Sequence, residues 1–124
     1  MTITRISSGG AFEAKIRYCR AVVASGLVRV AGTVAVPDVP DDVAAQCKSA
    51  LGIMERALAE AGVTFAGAAR VRYILPNHAD FAPCWPVLAA TFGDNPPAAT
   101  MVSAVLIDPK YKIKIGLTAL APDA

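Results

Sequence analysis

Apolar and polar positions follow two rhythms along this chain, and each change of rhythm marks an element. Short apolar runs come first, at Ile3–Ser7, at about Ala21–Val23 and at Leu27–Thr33, the last two separated by a Ser25-Gly26 turn. Val36–Pro40, rich in proline and aspartate, reads as a loop that stops the sheet. The spacing then lengthens to steps of three and four. Ala44, Cys47, Leu51, Met54, Leu58 and Ala61 fall on one face, which predicts a helix. Asp41 or Asp42 would cap it by accepting the free amides of the first turn, and Gly62 would end it in a left-handed conformation. Gln46, Lys48, Glu55 and Glu60 lie off the stripe and are expected in water.

A further strand is predicted at Ala69–Leu75. The second helix is less regular, with Asp80 as its cap and Phe81, Trp85, Leu88 and Phe92 as its apolar stripe. Pro83 suits a first turn, whereas Pro86 sits deeper and predicts a kink or a delayed start. Gly93-Asp94-Asn95-Pro96-Pro97 then turns into two final strands, Ala99–Ile107 and Lys112–Leu120, joined at Asp108-Pro109-Lys110. This order fits an α+β fold, a mixed sheet with both helices on one face. No repeat or linker interrupts it, so residues 1–124 are read as one domain.

Period-two alternation gives the sheet two unlike sides. Ile113, Ile115, Leu117 and Ala119 share a side fit for the helices, opposite Lys112, Lys114, Gly116 and Thr118. Val71, Tyr73 and Leu75 likewise oppose Arg70, Arg72 and Ile74, and Val28, Val30 and Gly32 oppose Leu27, Arg29, Ala31 and Thr33.

Composition sharpens the question of what covers the second side. Apolar residues make up 55% of the 124 and charged residues only 18%, more than a small monomer hides alone, so packing against further copies is expected. A net charge of +2 gives no argument for nucleic acid. No apolar run is long enough to cross a membrane and MTITRISSGG lacks an export core, so a cytoplasmic protein without a membrane partner is expected. Cys19, Cys47 and Cys84 show no CxxC spacing and cannot make a zinc pattern with the single His78. Reduced thiols, no metal and no cofactor are expected.

The stretch Asn95–Ala121, NPPAATMVSAVLIDPKYKIKIGLTALA, opens on Pro-Ala-x-Thr, runs through an apolar strand and a turn, and closes on an alternating strand. It resembles the end of the YjgF/RidA family of imine deaminases, also known as endoribonuclease L-PSP. YCRAVVASGLVRVAGTVA, Tyr18–Ala35, resembles the family's opening segment, with Ala31 where serine is usual. Asp42–Gly62 resembles its first helix, Ala69–Leu75 its fourth strand and Asp80-Phe81 the start of its second helix, with Trp85 where asparagine is often found. The resemblance implies a homotrimer whose sheets form a central barrel, with three ligand pockets at the subunit clefts. In family deaminases an arginine grips the substrate carboxylate and a glutamate of the closing strand orients water. Here those positions hold Ala99 and Lys114.

By the resemblance, Tyr18 faces the ligand, though a half-buried strand aromatic is the plainer alternative. Ala31 and Gly32 match a ligand-contacting backbone segment or merely pack in the sheet. Ala99 makes room for a larger group or marks lost function, and Met101 joins it in the pocket or fills the core. Lys114 is a solvated or interface lysine, a point charge for an anionic ligand that replaces the lost arginine from the facing strand, or a desolvated base or nucleophile. Trp85 lines the cleft for a flat apolar group or completes the Phe81–Phe92 stripe. His78 receives no role. The expected ligand is a small anionic metabolite with an apolar or aromatic part, its charge met by Lys114, with Arg29, Arg72 and Lys112 on the same side as candidate supporting cations. Hydrolysis or deamination of an imine or enamine at a rebuilt site is the leading expectation, with water activation falling to backbone carbonyls or Tyr18. The alternative is a binding or accessory protein without turnover. RNA cleavage ranks last, since no acid/base pair suited to it is legible.

Overall fold

The apolar runs pair into one mixed sheet in the computed structural model, which describes residues 2–121. Its strands are β1 (Thr4–Ile6), β2 (Ala21–Ala24), β3 (Leu27–Thr33), β4 (Ala68–Leu75), β5 (Ala98–Ser103) and β6 (Lys114–Leu120), in the order β1-β2-β3-β6-β4-β5. β4 and β5 are parallel and every other pair is antiparallel. Three helices are α1 (Glu13–Ile16), α2 (Val43–Glu60) and α3 (Trp85–Phe92).

The predicted caps of α2 are present. Asp42 Oδ2 accepts the Ala45 amide at 2.9 Å. At the other end Gly62 has φ +80°, while its amide donates to the Ala59 carbonyl and that of Val63 to the Leu58 carbonyl, both at 3.0 Å. The face between buries Cys47, Leu51, Met54 and Leu58 against Val28, Val30, Val71, Ile115 and Leu117 of the sheet. Gln46 departs from expectation. It is fully buried, donating to the Pro40 and Lys110 carbonyls at 2.7 and 2.9 Å and accepting the Lys112 amide at 2.8 Å. The helical period misses it because this one polar side chain satisfies three backbone groups of two loops.

Pro86 delays the second helix. Asp80 lies in a separate 3-10 turn capped by Asn77, whose Oδ1 accepts the Ala79 amide at 3.1 Å. A second 3-10 turn, Ala82–Cys84, contains Pro83, and α3 begins only at Trp85. Phe92 is buried and packs edge-on to Phe65 at 5.5 Å, but Trp85 is 59% exposed and so is not a core member of the stripe. The last two strands also differ from expectation. β5 stops at Ser103, leaving Val105 and Ile107 almost fully exposed, and β6 starts at Lys114. β6 inserts between β3 and β4, so β5 and β6 are not facing strands. α1 was not predicted. It is held by Glu13, whose buried carboxylate accepts from Ser8 and from the Gly10 amide.

One irregularity of β3 sets the stage for the site. Val30 pairs with Leu117 but Thr33 pairs with Ile115, so three steps on β3 match two on β6. This bulge at Ala31-Gly32 reverses the parity of the strand. Thr33, expected on the open side, is buried on the helix side, and Gly32, expected with Val28 and Val30, is exposed.

Candidate functional site

The predicted residues fall into two groups. The first gathers at the bulge. Gly32 lies directly beneath the Lys114 side chain: a methyl group on Gly32 would collide with Lys114 Cε and would approach Cδ and Cγ at 3.2 and 3.3 Å. A glycine is therefore what lets this lysine lie flat across the backbone of the neighbouring strand. Ala31 occupies the same bulge, its amide donating to the Arg20 carbonyl at 2.8 Å.

Arg20, absent from the sequence expectations, organises this group. It is only 6% exposed. Its Nη1 donates to the Gly32 carbonyl at 3.1 Å and to Thr33 Oγ1 at 3.0 Å, its Nε to Ser8 Oγ at 3.2 Å, and its Nη2 to the Tyr18 hydroxyl at 3.3 Å. The guanidinium also sits 5.4 Å from the Tyr18 ring centre. Tyr18 is thus half-exposed with its hydroxyl oxygen turned to a fixed cation, leaving the phenolic proton free to donate outward. Periodicity carries no sign of Arg20. Its Gly32 and Thr33 partners lie twelve and thirteen residues away, and the pairing of β2 with β3 brings them close.

The second group lies at the far edge of the sheet. Ala99 pairs with Val71 and Met101 with Tyr73, which puts both on the helix side. Tyr73 stacks on Phe81 at 5.0 Å, and Phe81 meets the exposed Trp85 edge-on at 6.3 Å. Lys114 pairs with Ile74 on the opposite side. Within one chain, Ala99 and Lys114 are therefore two strand spacings apart across the sheet and three residues apart along it, about 14 Å in all, and on opposite faces. Arg29 and Arg72 do share the open side with Lys114, flanking Thr118 and Gly116. Lys112 lies before β6, its amide held by Gln46.

Electrostatics separate the buried groups from these. Cys47 and Cys84 are fully buried between α2 and the turn before α3, and their mutual hydrogen bond and burial push the Cys47 thiol up. Burial, with these two sulfurs alongside, also pushes up the Tyr73 phenol. The same hydrogen bond lowers the Cys84 thiol, while Cys47 and Tyr73 are held protonated at neutral pH. A shallow groove of about 590 Å³ between α2 and α3, lined by Leu51, Phe65, Val87 and their neighbours, contains none of the predicted residues. Among the described residues no His/Cys/Asp/Glu cluster could hold a metal ion, and no helix is long and apolar enough to cross a membrane.

The chain matches the endoribonuclease L-PSP family model over residues 9–121. Among solved structures it is similar to a Mycobacterium tuberculosis member of the YjgF/YER057c/UK114 family, with 36% identity, 97% of this chain and 100% of that one covered, and a TM-score of 0.90. A Neisseria meningitidis member of the YjgF family shares 30% identity, with 100% and 98% covered and a TM-score of 0.86. Yeast Mmf1, at 18% identity, 98% and 100% covered and a TM-score of 0.85, shares the fold. Comparison with curated proteins gives no match. The span of the family match, together with the Mycobacterium and Neisseria likenesses, means that the chain belongs to the endoribonuclease L-PSP family, the YjgF/Rid proteins.

Proposed function

We propose that this chain takes a small anionic metabolite of imine or enamine type and hydrolyses it in a pocket completed by a neighbouring copy. The observation that carries this reading is the split of the predicted residues. Tyr18, Gly32 and Lys114 lie at the bulge, and Ala99, Met101 and Trp85 at the other edge on the opposite face. In a trimer, one copy's first group would meet the next copy's second. Exposed Val102, Val105, Ile107 and Leu120 supply apolar surface for such an assembly.

The chemistry follows from what the first group offers. Lys114 is a cation for the carboxylate, and the Tyr18 hydroxyl, held by Arg20, is a proton donor. Protonation of the imine nitrogen makes its carbon electrophilic. Water then adds, and the carbinolamine expels ammonia to leave a carbonyl compound. Tyr18, Arg20, Gly32 and Lys114 include no carboxylate to orient that water. This favours a second reading, binding without turnover.

Two measurements test the reading. Light scattering on the purified protein should give the mass of three chains; a stable monomer at micromolar concentration overturns the shared pocket. Ammonia release from imines generated in situ should be weak or absent for 2-aminoacrylate-derived substrates, because loss of the arginine contact costs roughly two decades in rate. Bulkier apolar imines should be turned over faster. Calorimetry with aromatic and aliphatic carboxylates on wild type and Lys114→Met separates the two readings. Binding without ammonia release selects the second, and binding unchanged in the variant removes Lys114 from the site.

A further inference from the structure

We propose that the open side of the sheet carries a second site, in which Arg29, Arg70 and Arg72 hold a compact oxyanion of charge two or more over Thr118 and Gly116. The cluster borders the imine pocket, since a methyl group on Gly116 would lie 3.9 Å from the Gly32 backbone. It is nonetheless a separate proposal: that pocket rests on Lys114 and Tyr18, whereas Arg29 and Arg72, expected from the sequence only to support Lys114, here join Arg70 around a ligand of their own.

The placement comes from strand register. Thr118 of β6 is flanked by Arg29 on β3 and Arg70 on β4, and Gly116 is flanked by Arg72. Arg29 and Arg70 thus stand about 10 Å apart across three strands, with Arg72 about 7 Å along β4 from Arg70. Three long side chains rooted at these points are within reach of the space above β6. The floor beneath them is low. A methyl group on Gly116 would touch nothing nearer than the Gly32 backbone at 3.9 Å, so the sheet is bare there. The Thr118 hydroxyl adds one neutral donor between the arginines.

Charge balance argues that the cluster is meant to be occupied. Strand residues on this side include five cations, Arg5, Arg29, Arg70, Arg72 and Lys114, and no carboxylate. All three arginines of the cluster are exposed, whereas Arg20 has its guanidinium committed to four protein acceptors. About 7–10 Å apart at their roots and exposed to solvent, these like charges repel one another weakly. A dianion accepting forked hydrogen bonds reverses the sign of that interaction. Copies packed through this side would add more of the same charge and strengthen the requirement. A single-stranded nucleic acid fits less well, because its bases need aromatic platforms and the strand residues of this side include no aromatic ring.

The test is calorimetric titration with pyrophosphate and with citrate in about 0.15 M sodium chloride, with thermal unfolding in parallel. Each should bind, and the unfolding midpoint should rise by roughly 5 °C or more near a hundredfold excess over Kd. Tighter binding of pyrophosphate assigns the site to phosphorylated ligands; tighter binding of citrate assigns it to polycarboxylates. Arg72→Gln, and separately the Arg29→Gln/Arg70→Gln pair, should weaken binding about tenfold or more. These are exposed positions whose mutual repulsion is screened, so in chloride alone the variants should match wild-type unfolding midpoints or slightly exceed them. Unchanged affinity in both variants, equal affinity for acetate, or tighter binding of an RNA oligonucleotide overturns the proposal.

Discussion

On its helix side the sheet presents Val28, Val30, Val71, Tyr73, Ile115 and Leu117, all buried, whereas its other side presents Arg29, Arg70, Arg72, Thr118 and Lys114, none of them buried. Both sets sit on the same strands, one residue apart. The helix side is self-sufficient, because α2 supplies Cys47, Leu51, Met54 and Leu58 to fill it. The open side is left to interactions with something outside the chain. Stability and the proposed ligand chemistry thus fall to alternate residues, and substitutions on the two sides should behave differently.

The largest expected contrast is between Ile115→Ala and Arg72→Ala. Ile115 is fully buried, and its truncation should cost about 3–4 kcal/mol. Arg72→Ala should stay within about 0.5 kcal/mol of wild type. Urea unfolding reads both, and equal losses would break the contrast. Next comes Gln46→Leu, which keeps the volume but strands the Pro40 and Lys110 carbonyls and the Lys112 amide. A loss of about 2–3 kcal/mol is expected, although the period of α2 places this residue on its wet side.

Glu13→Gln tests a polar region outside both faces, and it should do so in a pH-dependent way. Burial alone would raise this carboxyl, but hydrogen bonds from the Gly10 amide, Ser8 and Ser7 outweigh it and hold the group below the usual carboxylate range. A lowered folded-state value adds stability above the unfolded value, and that stability is lost as pH falls through the folded one. The variant should therefore be weaker near pH 7, by no more than about 1 kcal/mol after solvent screening, and converge on wild type as pH falls through the folded-state value. A constant difference across that range would mean that only packing is involved. A small stability effect is also expected from Gly32→Ala. The added methyl meets only the flexible end of Lys114, so unfolding should change by less than about 1 kcal/mol. Carboxylate affinity should nevertheless fall, because the ammonium is displaced.

The layout of the fold was readable because its signals are local. Asp42 and Gly62 bound α2 through chemistry within one turn, and alternation placed Ile115, Leu117, Val71 and Tyr73 against the helices. Features that depend on distant partners were not readable. Gln46 looks solvated until Lys110 and Lys112, 64 and 66 residues away, arrive beside it. Arg20 looks like any strand arginine until the bulge carbonyl meets it. The reach of β5 was overestimated because apolar Val105 and Ile107 suit a strand in a completed assembly as well as one in a single chain. For the site, the sequence supplied the residue types, and Gly32 beneath Lys114 is a real neighbourhood. It could not show that Ala99 and Lys114 stand on opposite faces, because the order of strands in a sheet is not written in their periodicity.

The extra residue in β3 has a consequence for how such a protein can change. Because pairing resumes at Thr33 opposite Ile115, the ladder on either side of Ala31 and Gly32 is complete without their side chains. A side chain added at Gly32 would meet the Lys114 side chain first, above the sheet. A scaffold with such an insulated position can exchange one ligand for another by single substitutions while its folding remains untouched, so its history of altered chemistry need leave no trace in its shape.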